Sequence, residues 1–106
     1  MMTDFDKIKQ KSEAYDSQNN FTKHLLNQFR ETFGNLDSFS IGKQDAAHFQ
    51  LNFIGRHCEY KIALGSDGIR KVGKTEGTAI VSFDAEGNPT EGTMQEALSR
   101  ILTAGF

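Results

Sequence analysis

The sequence predicts an α+β domain with an N-terminal helix or helix pair, an antiparallel β-meander of about four strands and a C-terminal helix, the helices packed on one sheet face. Three observations predict it. Apolar residues recur at helical spacing over residues 21–33 and 94–102, and they switch to every second position between residues 39 and 64. The stretches joining these segments are also too short for the crossovers that parallel strands require.

The 106 residues fall within the size of one domain, taken as residues 1–106. Nine Phe and no Trp, with Leu, Ile and Val spaced over the later two thirds, must supply the core. Twelve basic and fourteen acidic residues leave a net charge of -2, so no whole-molecule field draws the chain to nucleic acid or anionic lipid. A lone Cys58 excludes an internal disulfide. The opening residues mix charges without the apolar run of a signal peptide, and no stretch approaches the roughly 18 apolar residues of a membrane span. The expectation is a cytoplasmic protein with neither membrane nor nucleic acid as partner.

Thr3 can cap a first helix whose opening turn holds Asp4 and Asp6, where negative charge suits the helix dipole. Phe5, Ile8 and Tyr15 fall near one face of it, a thin face that anchors residues 1–16 weakly and leaves them to fray or to dock on a second copy. The run Asp16, Ser17, Gln18, Asn19, Asn20 reads as a break, because such side chains bond their own backbone. A second helix follows, with Phe21, Leu25, Leu26, Phe29 and Phe33 on one face and Gly34 to end it. Were the two continuous, the rod would run about 45 Å and overhang the domain, with dimerisation as the natural consequence.

Between residues 48 and 64, Phe49, Leu51 and Phe53 alternate with polar residues, and so do Cys58, Tyr60, Ile62 and Leu64. A type II′ turn at Gly55-Arg56 would set Phe53 opposite Cys58, Leu51 opposite Tyr60 and Phe49 opposite Ile62. A short strand holding Phe39 and Ile41 can join that face through a loop around Gln44-Asp45-Ala46. Residues 65–68 form a strong turn signal, residues 69–76 are polar and Gly-interrupted, and residues 78–83 read as a strand. Thr93 and Glu96 form a capping-box pattern before a helix with Met94, Ala97, Leu98, Ile101 and Leu102 on one face, which Gly105 can stop.

The sharpest motif is residues 68–75, which satisfy G-x-x-x-x-G-K-[ST] and offer Arg70, Lys71, Lys74 and Thr75 as a phosphate contact. A working P-loop needs a helix after its Thr, pointing its N-terminus at the phosphates. Here the β-branched run of residues 78–83 follows, so the context argues for a polar hairpin or edge segment. Residues 38–77 are mildly basic at six against four, but without the aromatic interleaving of a nucleic-acid surface.

His57, Cys58 and Glu59 are residue types found at catalytic and metal centres, yet on a strand Cys58 points inward while its neighbours point out. The outward row His48, Gln50, Asn52, His57, Glu59 and Lys61 is the candidate polar surface, with Asn52 opposite Glu59 and Gln50 opposite Lys61. His24 lies beside apolar positions of the second helix and is expected to border the core. No catalytic set, metal-ligand spacing or cofactor fingerprint emerges. The sequence therefore favours a small binding or protein-interaction domain, a homodimer through the N-terminal helix or the polar sheet face, over an enzyme. The alternatives are a phosphate or nucleotide ligand at residues 68–75 and a small-molecule pocket between sheet and helices.

Overall fold

The computed structural model describes residues 3–77 and 80–104. It has a helix α1 (Asp4–Phe33), five strands β1 (Phe39–Gln44), β2 (His48–Phe53), β3 (Arg56–Leu64), β4 (Arg70–Lys74) and β5 (Ile80–Phe83), and a helix α2 (Met94–Thr103). The strands pair antiparallel in chain order, β1-β2-β3-β4-β5, in one open sheet.

Of the two possibilities for the N-terminal region, the single helix is the one formed: α1 runs 30 residues without a break. Its start is capped reciprocally, Thr3 Oγ1 accepting from the Asp6 amide and Asp6 Oδ2 accepting from the Thr3 amide. The break expected at residues 16–20 does not occur because two of its side chains find distant partners. Ser17 Oγ and Gln18 Oε1 accept from the Arg70 guanidinium at 2.9 and 3.0 Å, and Gln18 Nε2 donates to the Ile62 carbonyl. Side chains so engaged no longer compete for the helix backbone.

From residue 21 on, α1 packs diagonally across the sheet. Phe21 meets Phe83 of β5 edge-on at 5.5 Å, while Phe29 and Phe33 lie against Phe39 of β1, and Phe29 also against Phe49 of β2. Thr22 is buried as well, and its hydroxyl donates to the Ala46 carbonyl at 2.7 Å, tying the helix to the β1–β2 loop. On α2, the expected face is the buried one: Ala97, Leu98, Ile101 and Leu102 join the same cluster, and Thr93 caps the helix by accepting from the Glu96 amide. α2 packs on β4, β5 and α1. The expected stop at Gly105 lies outside the described residues, as do residues 78 and 79 of the strand expected over residues 78–83.

Two expectations for the sheet need correction. There are five strands, not four, because polar residues 70–74 form β4 with Arg70 and Val72 turned inward. The β2–β3 turn is centred on Ile54-Gly55, not Gly55-Arg56, which slides every pair by two positions: Phe53 faces Arg56, Leu51 faces Cys58 and Phe49 faces Tyr60. A shift of two preserves which side each residue faces. The turn has φ +51° at Ile54 and +74° at Gly55, positive at both centres as type I′ demands. A β-branched residue there is strained. The register it permits stacks Phe49 on Tyr60, with ring centroids 5.2 Å apart, at the centre of the core.

Candidate functional site

Sheet alternation sorts the polar residues onto two surfaces. His48, Gln50 and Asn52 of β2 and His57, Glu59 and Lys61 of β3 all take the side away from the helices, as the sequence pattern predicts for these strands. Their partners differ from the expected ones, following the turn: His48 faces Lys61, Gln50 faces Glu59 and Asn52 faces His57.

Five of these six residues, all but Lys61, fall into two clusters. At one end, Asn52 Oδ1 meets His57 Nδ1, and Asn52 Nδ2 donates to Ser40 Oγ of β1 at 3.2 Å. At the other end, a groove of about 700 Å³ is lined by His48, Gln50, Glu59, Lys43 and Thr75. The β1–β2 register shifts between Ile41 and Gln44, and Gly42 there lets Gln50 lie across the strand: a Cβ on Gly42 would fall 2.8 Å from Gln50 Oε1. His48 is held at the groove's rim by Asp45, whose Oδ1 accepts from the Ala47 and His48 amides at 2.8 Å and lies 3.4 Å from His48 Nδ1. The Ala47 amide above all, with the His48 contacts, holds the Asp45 carboxyl below the usual carboxylate range against the opposing effect of burial.

The P-loop pattern does not assemble a site. Thr75 and Glu76 lie in a turn, and the next regular element among the described residues is strand β5, so no helix N-terminus follows the motif. Within β4, alternation places Arg70 and Lys74 toward the helices and Lys71 toward the opposite side, where Thr75 lines the outer groove. Thr75 Oγ1 and its amide both donate to the Glu59 carbonyl, which spends the hydroxyl on sheet structure. Four residues split between two faces cannot converge on one phosphate.

Arg70 is the residue that pattern-matching misplaced. It is 5% exposed, its guanidinium lies 5.0 Å from the centre of the Phe21 ring, and its hydrogen bonds go to Ser17 and Gln18. Its position two residues before Val72 on a strand was the available signal. Beside it, a cleft of about 580 Å³ opens between the middle of α1 and residues 85–87. His24 lines that cleft, half-buried, with Nε2 enclosed and without a hydrogen-bond partner among the described residues.

Cys58 is buried on the inner side beneath Tyr60, whose hydroxyl has no hydrogen-bond partner among the described residues. Burial, reinforced by the neighbouring Cys58, pushes the Tyr60 phenol well above its ordinary value. Among the described residues no three His, Cys, Asp or Glu side chains cluster as metal ligands, and no helix is long and apolar enough to cross a membrane.

The first half of α1 forms a third surface. Residues 3–17 are all exposed, and Phe5, Ile8 and Tyr15, at 73%, 66% and 59%, share one side of the helix. Compared with known protein families, with curated proteins and with solved structures, the chain matches none of them.

Proposed function

We propose that this protein is a small interaction module that associates with a second copy of itself through the exposed first half of α1, and that its task is binding, with no chemical step. One observation carries the proposal: a capped helix of 30 residues buries side chains only from Phe21 onward, yet keeps large apolar residues in line over the half that lies free. The molecule is 52 Å long and about 27 Å across, so the helix extends well past the sheet. A free segment of this length is marginal as an isolated helix in water, and a partner that covers Phe5, Ile8 and Tyr15 would hold it.

The charges flanking this stripe support self-association. Lys9 and Asp16, seven residues apart, lie on one flank, and Asp4 and Lys11, again seven apart, lie on the other. Each flank thus carries one charge of each sign, so two copies can meet with opposite charges adjacent. The contact is short and has few large apolar residues, which places it among weak, concentration-dependent associations.

Light scattering behind size exclusion, repeated over a range of loading concentrations, tests the proposal. The full chain should gain mass toward twice the monomer as concentration rises, while a chain lacking residues 1–16, and the Ile8→Asp variant, should stay monomeric with the same far-UV signature for residues beyond the deletion. A full chain that remains monomeric at hundreds of micromolar, or a dimer indifferent to the deletion, overturns it.

A further inference from the structure

Arg70 presents an unsolved charge problem. A side chain so buried normally meets a carboxylate, yet no ion pair with Arg70 forms among the described residues. Ser17 Oγ and Gln18 Oε1 are neutral acceptors and take two of the five N–H groups of the guanidinium. The group is nonetheless held rigidly, since Gln18 is itself anchored on the Ile62 carbonyl and the Phe21 ring supports the guanidinium. Arg70 lines the cleft between α1 and residues 85–87, a volume of about 580 Å³ within the range of small-molecule sites.

The same cleft is rimmed by Glu13, Asp16 and Glu86, none of which pairs with Arg70. His24 adds an enclosed nitrogen without a hydrogen-bond partner among the described residues, and the backbone of Gly87 is pressed so close that a Cβ there would fall 2.9 Å from the His24 ring. A phosphate or other simple anion satisfies Arg70 but brings negative charge against three carboxylates. A simple cation suits the rim and is repelled by the guanidinium.

We propose that this cleft binds a small zwitterion of the α-amino-acid type, its carboxylate taking the open N–H groups of Arg70 and its ammonium lying among Glu13, Asp16 and Glu86. Such a molecule carries both charges, and the cleft is lined by both a buried guanidinium and carboxylates.

Titrations followed by amide chemical shifts test this on the full chain, using each of the common L-α-amino acids, acetate, methylammonium and inorganic phosphate at fixed pH and ionic strength. At least one amino acid should shift the Ser17, Asn20 and Gly87 amides saturably, with acetate, methylammonium and phosphate each weaker by about tenfold or more. Arg70→Gln should weaken the amino acid at least about tenfold. Because that change could loosen α1, Glu13→Gln combined with Asp16→Asn, both at exposed positions, provides the independent arm and should weaken it by a similar factor. Absence of saturable shifts with every amino acid overturns the proposal. So does an acetate, phosphate or methylammonium affinity equal to the best amino acid, or unchanged binding in the folded double variant.

Discussion

The two halves of α1 are one helix by hydrogen bonding and two different objects by packing. The second half places Leu25, Leu26 and Phe29 at zero exposure against the sheet, while the first half leaves Phe5, Ile8 and Tyr15 largely exposed. From this difference we expect the helix to be nucleated by its docked half and propagated outward. Extension adds a hydrogen bond for each residue ordered, whereas starting a helix is unfavourable, so a docked segment can carry a free one that would not form alone.

The largest expected break in this comparison comes from truncating the docked half. Leu25→Ala or Phe29→Ala should cost about 3–5 kcal/mol, measured by chemical denaturation, because each removes a fully buried side chain and leaves a cavity. Ile8→Ala on the free half should move the stability of the monomer by less than about 0.5 kcal/mol. Similar costs at the two sites would refute the division of the helix.

At the boundary between the halves, Arg70→Met should cost about 2 kcal/mol, the scale of two hydrogen bonds from a charged donor partly offset by the removal of a buried charge. Hydrogen exchange sharpens this, since amides of residues 7–16 should lose protection more than those of residues 25–33. Equal loss in both would place the nucleus elsewhere. Further in, Thr22→Val should cost about 1–2 kcal/mol by leaving the Ala46 carbonyl without its donor.

The remaining predictions concern the sheet on which the docked half rests. Ile54→Asn should raise stability by about 1 kcal/mol, because Asn tolerates the positive φ of a type I′ turn and the exposed Ile54 gives up little burial. Tyr60→Phe should be neutral or add up to about 1 kcal/mol, since the lost hydroxyl has no hydrogen-bond partner among the described residues. It should also change the alkaline limb. The Tyr60 phenol ionises higher in the folded chain than in the unfolded one, so above about pH 10 the unfolded state loses the proton first and stability falls as pH rises. In the Phe variant that fall should be shallower, as read from denaturation midpoints across the alkaline range.

Most of the fold was legible because periodicity marks faces. Phe49, Leu51, Cys58, Tyr60 and Ile62 had to share the inner side, and α2 had to bury Leu98 and Ile101, whatever the loops did. The turn was misplaced by one residue because Gly55 suits either of two turn types, and local propensity alone favoured the one without strain. The outward placement of the row from His48 to Lys61 was legible and its cross-strand pairing was not. The phosphate set is divided between two faces because a motif counts residues along the chain, while a strand sends successive residues to opposite sides.

The amino-acid sequence by itself determined the buried faces of α2 and of α1 from Phe21 onward, the inner side of β2 and β3 and the stripe on the first half of α1, since these follow from spacing along the chain. Only the tertiary structure decided that α1 is continuous, that residues 70–74 form a strand, and that Arg70 lies beneath the helix. The first and last of these rest on Ser17 and Gln18 meeting Arg70 across more than fifty residues, and the strand rests on pairing with β3 and β5, contacts that form only once the chain has folded back on itself.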